Sequence, residues 1–343
     1  MKKSEKDEFD KTYGIFKFKR SLPKELEQAM GLTGEPVLFK KLIAGDWQRF
    51  YDIIKEPEPG DWLMSHKEYG QTYDEYKRND YFPTGKNNDV IYIAPLSFSS
   101  SELMNQDFLI NIINLCSAFF SGMKVRLKEI SSEFNNVGNK TEDGQLQINA
   151  VDLLDKLIEE KPKDAFCLFA LIDTDLYSEN IMDDGKVIST PICGARNIPG
   201  RTSLFSFARF DPFFNKPKDD LNEEMKLKLY LFMLRRVCNA ITREICYMFG
   251  MKNCIFFSCC MNGTSKTEFD FKPFELCPIC LRKLITNISA QGQDLNNFRI
   301  KNPLVVLERF IKLRDSLNDN FYGIFETEVN WLNARIEFLK TFI

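Results

Sequence analysis

Four cysteines fall in two close pairs, Cys254-x4-Cys259 and Cys277-x2-Cys280, with seventeen residues between the pairs. Four soft ligands in this format suit a closed tetrahedral zinc site, which adds folding free energy and performs no chemistry. Pro278, inside the second pair, favours a tight turn there. The competing reading is a set of buried free thiols, since cysteine is among the most buried residue types. The spacing favours one structural zinc ion, and Cys260, outside both pairs, reads as packing. Histidine is the usual neutral zinc ligand and the usual proton shuttle near neutral pH. This chain has one, His66, far along the sequence from the cysteines.

The stretch ITREICYMFGMKN (241–253), just before the first cysteine, has the skeleton of a zinc-presenting helix. In HExxHxxGxxH, two histidines four residues apart share a helix face. The glycine turns the chain to bring in the third ligand, and the glutamate acts on zinc-bound water. Here the same positions read Arg243, Glu244, Tyr247, Gly250 and Asn253, with Met261 further on. Arginine keeps its proton and offers no lone pair. Tyrosine could ligate only as phenolate, and asparagine offers a weak, hard amide oxygen. The expectation is therefore no catalytic zinc and no catalytic residue, with Arg243, Glu244, Tyr247 and Asn253 as degenerate positions. Glu244 would need a partner in a closed cleft, because an unpaired buried carboxylate is costly. Arg243 or a neighbouring cation is expected to pair with Glu244 or another carboxylate, with Tyr247 filling the vacated volume. Alternatively, both side chains reach solvent at the cleft mouth.

Other chemistry is thinly supported. A Cys–His hydrolase would have to use His66, and no GxSxG, P-loop or GxGxxG stands between a strand and a helix. Asp173 and Asp175 in IDTDLY make a carboxylate pair at a strand end, and alternation puts them on the same face.

The elements that must position these residues follow from periodicity. VIYIAPL (90–96) and DAFCLFALIDTDLY (164–177) read as buried strands, and MKVRLKEI (123–130) and SLFSFARF (203–210) as alternating ones. DFLINIINLCSAFFSG (107–122), INAVDLLDKLIEE (148–160) and the long 221–250 segment, closed by Gly250, carry helical spacing. Two more helices are predicted over 302–317 and 324–343. The order implies an α+β fold with a mixed, mostly parallel sheet. The expected organisation is an aromatic-rich arm over 1–20, a helical and loop region over 21–86, a main domain over 87–290 and a helical extension over 291–343.

With 46 basic and 49 acidic residues the net charge is −3, so no global field draws nucleic acid or an anionic membrane. No apolar run is long enough to span a bilayer, and no secretory signal is visible. Ten cysteines without export are expected to stay reduced in a soluble, cytoplasmic protein.

The paired cysteines, Met261 and LCPICLRKL (276–284), together with R-E-I-C-Y-M-F-G-M-K-N-C, resemble the archaemetzincins. EPGDWLMSHKEYGQTYDEYK (58–77), VIYIAPL, KPKDAFCLFALIDTDLYSEN (161–180) and SLFSFARF extend the resemblance to the eukaryotic branch over roughly residues 45–290. It implies a metzincin-like domain and a four-cysteine zinc site on Cys254, Cys259, Cys277 and Cys280. It also implies a catalytic zinc held by three histidines with a glutamate base, which transfers only to Glu244. The reading that results is a pseudopeptidase and not an enzyme: a structural or protein-interaction component of a large assembly, cytoskeletal or ciliary, without nucleic-acid or membrane partners. The alternatives are a zinc metallopeptidase with unorthodox ligands, or a non-cleaving peptide-binding module with SLFSFARF as its edge strand.

Overall fold

The structure is a computed structural model, and it describes residues 19–78, 88–98, 104–130, 137–142, 145–182, 184–211, 214, 222–265 and 268–343. Apart from Lys19 and Arg20, the expected arm lies outside the described residues.

Helices α1 (Pro23–Met30), α2 (Val37–Ala44), α3 (Trp47–Phe50), α4 (Trp62–Ser65) and α5 (Tyr73–Lys77) precede strand β1 (Val90–Leu96). Helix α6 (Gln106–Phe119), β2 (Lys124–Leu127), β3 (Asn139–Glu142), β4 (Gln145–Asn149) and α7 (Ala150–Glu160) follow. Five strands come next: β5 (Ala165–Ile172), β6 (Asp175–Ile181), β7 (Val187–Ile192), β8 (Gly194–Asn197) and β9 (Thr202–Ser206). Helices α8 (Glu223–Met248), α9 (Pro278–Ala290), α10 (Val305–Asn320) and α11 (Glu326–Lys340) complete the chain.

All eight residues of β5, AFCLFALI, are buried, so this strand must have cover on both faces. It lies at the centre of a five-stranded sheet of order β2-β1-β5-β9-β8, parallel except for the antiparallel β8–β9 pair. Alternation divides its side chains. Phe169 and Leu171 join the main core with α6, α8 and α9, while Leu168, Ala170 and Ile172 join a smaller core with α7. The α+β class and the mostly parallel sheet are therefore as expected.

Two details differ from the periodicity. The apolar run 164–177 is two strands, because the chain leaves the main sheet at Asp173–Thr174. Strand β6 enters a second sheet of order β3-β4-β6-β7. The segment 203–210 is an interior strand ending in a 3-10 turn (Ala208–Phe210), and β8 takes the edge position outside it.

Helix α9 is the hub of the main core. Cys277 is its N-cap and Pro278 opens its first turn, where a missing N–H costs nothing. Its charged side chains are buried and hydrogen-bonded. Arg282 donates to Met30 O at 2.6 Å and Glu35 Oε1 at 2.7 Å, and it lies 3.6 Å over the Tyr73 ring. Lys283 donates to Gln71, and Asn287 donates to Tyr76 Oη at 2.8 Å. These bonds tie the N-terminal helices and α5 to the cysteine segment. The C-terminal helices join the same core, as Leu313, Leu332 and Ile336 pack in it. Among the described residues no helix is long and apolar enough to cross a membrane.

Arg309 of α10 is fully buried, donating to Phe119 O at 2.9 Å and to Glu275 Oε2 at 3.1 Å. Burial raises the Glu275 carboxyl above its ordinary range, and Arg309 opposes that rise. Arg309→Met removes that opposing charge and is expected to cost about 3–5 kcal/mol at neutral pH in urea unfolding. A carboxyl whose folded pKa is raised stabilises when protonated and loses that contribution as pH rises. The deficit should therefore shrink as pH falls from about 7 to about 5. A deficit that does not change with pH would contradict this.

Candidate functional site: a four-cysteine centre beside an arginine-lined cleft

Asn222 caps α8, its Oδ1 accepting from Met225 N, and acidic Glu223 and Glu224 suit the positive helix end. The helix buries its C-terminal half, from Met233 onward, against the sheet and α9. It ends at Phe249, and Gly250 at φ +78° supplies the left-handed turn that redirects the chain toward Asn253 and Cys254.

Cys254, Cys259, Cys277 and Cys280 converge from this turn, the following loop and the start of α9. Their Sγ atoms all lie within 4.8 Å of one another, and all four residues are buried. Zinc–thiolate bonds of about 2.3 Å place tetrahedral sulfurs about 3.8 Å apart. Cys254 and Cys277 stand at 3.7 Å, so the donor set fits a zinc ion in both chemistry and size. The backbone N–H groups of Met261 and Cys277 point at Cys259 Sγ, at 3.4 and 3.3 Å, as suits a sulfur carrying negative charge. Hydrogen bonds from Cys259, Cys277 and Cys280 hold the Cys254 thiol well below its ordinary range, while burial pushes Cys259 and Cys277 up. A metal bound here would hold the four sulfurs as thiolates by displacing their protons. Cys260 lies outside the cluster, buried, with its Sγ 3.6 Å from Thr242 Oγ1.

The cleft beside this centre is organised differently. Arg243 Nε donates to Tyr247 Oη at 2.8 Å, and its Nη2 reaches Asn253 Oδ1 at 3.4 Å. Tyr247 Oη donates to the same amide oxygen. Asn253 Nδ2 in turn donates to Glu68 Oε1 at 2.6 Å, which also accepts from Trp62 Nε1 at 2.9 Å. Arginine, tyrosine and asparagine are thus bonded to each other at the three positions where the HExxHxxGxxH pattern sets histidines. This donor set does not fit a zinc ion: the guanidinium repels it, and the amide oxygen and phenol are already engaged.

Glu244 is buried and finds its cation across the cleft. Arg196 of β8 places Nε 3.5 Å from Glu244 Oε2 and its guanidinium 3.9 Å from the Tyr247 ring centre. The partner of Glu244 is therefore the neighbour and not Arg243. Tyr247 is buried between two guanidinium groups, those of Arg196 and Arg243.

Sequence spacing did not reveal Glu68 or Arg196, because each reaches the cleft from a distant element. Nor did it reveal that the lone histidine stands near the cleft. His66 stacks on Trp62, ring centroids 3.4 Å apart, and Trp62 bonds the Glu68 that holds Asn253. The Trp62 indole lies where a Cβ on residue 263 would sit, 2.3 Å from its ideal position, so Gly263 is required for this loop to close. Asp173 and Asp175 hold the scaffold together. The first accepts from Ser97 and Thr174, and the second takes Arg209 in a two-pronged pair at 2.7 Å.

Residues 104–286, just over half the chain, match Peptidase family M54. The chain belongs to this family. Archaemetzincin-2 of Homo sapiens is 28% identical over 291 residues, covering 74% of this chain and 78% of that protein. Archaemetzincin-2 of Pongo abelii is 28% identical over 289 residues, with the same coverage. Archaemetzincin-1 of Homo sapiens is 25% identical over 248 residues, 65% of this chain and 48% of that protein. The crystal structure of archaemetzincin from Methanopyrus kandleri aligns with 59% of this chain and 97% of its own, at TM-score 0.42 and 22% identity.

These matches correct one expectation. A chain expected to be no enzyme belongs to a peptidase family, and its named relatives point to a zinc metallopeptidase. The cytoskeletal or ciliary setting finds no support in the fold or in these relatives.

Burial raises the Tyr247 phenol above its ordinary value, with Arg243 pulling the other way. A raised phenol contributes stability that is complete below the ordinary tyrosine range and fades as pH climbs through the folded value. Near-UV difference titration of the protein against Tyr247→Phe is expected to show this phenol ionising above about pH 10. Stability relative to the variant should fall only in that alkaline range. Ionisation at or below the free-tyrosine value would contradict the burial.

Proposed function

We propose that this chain takes up peptides as extended strands in the cleft of a zinc-metallopeptidase fold, with one zinc ion held by Cys254, Cys259, Cys277 and Cys280. The observation that carries the reading is the position of β8. It is the edge of the main sheet, and no further strand pairs with it among the described residues. From it Arg196 reaches over the cleft to Glu244 and Tyr247. An exposed edge offers backbone donors and acceptors to an incoming strand, and flanking pockets select its side chains. The edge is β8 and not SLFSFARF, which lies inside the sheet.

The zinc ion acts as a staple in this reading. It locks the turn after α8 to the start of α9 and so fixes the cleft wall. Native mass spectrometry is expected to find one zinc per chain and none in Cys277→Ser. That variant should lose about 4 kcal/mol or more of stability. Two zinc ions per chain would overturn the assignment.

Family membership favours a second reading at the same cleft, peptide hydrolysis, for which Glu244 is the carboxylate in place. Incubation with a mixed peptide library separates the two. Hydrolysis predicts new termini that disappear in Glu244→Gln. Uptake alone predicts binding without new termini, and an unchanged Glu244→Gln product pattern would refute a role for this carboxylate. Crosslinking from β8 is expected to capture the peptide in either case, and failure to capture any would sink the cleft reading.

A further inference from the structure

Next to the Arg243–Tyr247–Asn253 network lies a cavity of about 750 Å³, within the size range of small-ligand pockets. Five phenylalanines line it: Phe205, Phe210, Phe214, Phe232 and Phe269. Cys193, the residue before β8, stands at its rim, so the cavity opens beside the proposed peptide track.

Its charged lining is three arginines and one carboxylate, Asp211. Arg209, Arg236 and Arg243 face it, and Arg196 stands nearby on β8. Three of these four cations are balanced. Arg209 pairs with Asp175, Arg236 with Asp270, and Arg196 with Glu244. Arg243 has no carboxylate within 4.0 Å among the described residues; its hydrogen-bond partners are a neutral phenol and a neutral amide. Its Nη1 makes no hydrogen bond among them. A half-buried guanidinium with spare N–H groups, at the mouth of an apolar cavity, is a receptor for an anion attached to a bulky apolar group.

A peptide has one place where such a pair is always joined: its last residue. The geometry points to recognition of a free C-terminus. Arg243 takes the terminal carboxylate of a peptide lying along β8, and the last side chain, large and apolar, fills the phenylalanine-lined cavity. This inference rests on the peptide-cleft reading above and narrows it to a substrate class. An acidic side chain offers the same carboxylate but brings no apolar group with it, so the aromatic lining favours the terminus. Tyr247 and Asn253 act as positioning residues: they fix the guanidinium plane, and Asn253 is itself held by Glu68.

The test uses the full chain and short fluorescein-labelled peptides ending in Phe, in matched pairs with a free acid or a carboxamide. A third set carries an internal Glu and an amidated end. Fluorescence polarisation is expected to show free acids binding about tenfold or more tighter than amides, as the loss of a charge-assisted hydrogen bond implies. Arg243→Gln should remove that discrimination, and Arg243→Lys should restore part of it. The comparison between acid and amide needs no variant, so a misfolded mutant cannot decide it. Equal binding of acids and amides would overturn the inference while leaving peptide uptake intact. Binding of the internal-Glu amides at the strength of the free acids would reassign the site to acidic side chains and overturn it too. Discrimination that survives Arg243→Gln would remove Arg243 from the role. Binding of no peptide at all would bring down both this inference and the cleft reading beneath it.

Discussion

Four thiols meet in the core where water has no access, and this one convergence organises everything around it. Thiols are weak hydrogen-bonding groups, so packing four of them together gains little unless something harder holds them. The turn after α8, the loop to Cys259 and the first turn of α9 each contribute to the cluster. From α9 the constraint spreads outward. Arg282, Lys283 and Asn287 carry it to the N-terminal helices, and the core shared with α10 and α11 carries it to the C-terminus. The cleft wall is one face of the same frame.

The cleft itself shows how a vacancy in a pattern is filled chemically. A set of three histidines around a metal needs a cation at its centre. Here the positive charge is covalent, on Arg243, and a phenol and an amide orient it through hydrogen bonds. Glu244, which would otherwise be a buried unpaired carboxylate, is met by Arg196 from the opposite strand. The result is a cleft with balanced ion pairs and one unmatched guanidinium. Family membership fixes the scaffold as that of a zinc metallopeptidase, and these residues determine which ligands its cleft can now receive.

Much of the frame was legible in the sequence because its signals are local. Eight consecutive buried residues mark β5, the long period of α8 ends at Gly250, and the cysteine pairs announce their own geometry. The second sheet was not legible. Its strands β6 and β7 carry polar, half-exposed stretches such as SENI and VISTPI, with no apolar alternation to read. The edge strand was misassigned for the same reason. SLFSFARF reads clearly as a strand because it is apolar and buried inside the sheet, while the true edge, GARN, is four residues long with one arginine as its only distinctive side chain. Arg196 and Glu68 belong to the cleft through tertiary contacts alone, and no spacing rule links them to Arg243.

Metal is assigned to the cysteine cluster, and an organic cation, Arg243, to the adjoining cleft. Zinc X-ray absorption on the zinc-loaded protein tests this most directly. A first shell of four sulfurs at about 2.3 Å, with no lighter neighbour, is the expected result. Nitrogen or oxygen in the first shell, at about 2.0–2.1 Å, would place metal outside the cysteine cluster and contradict it.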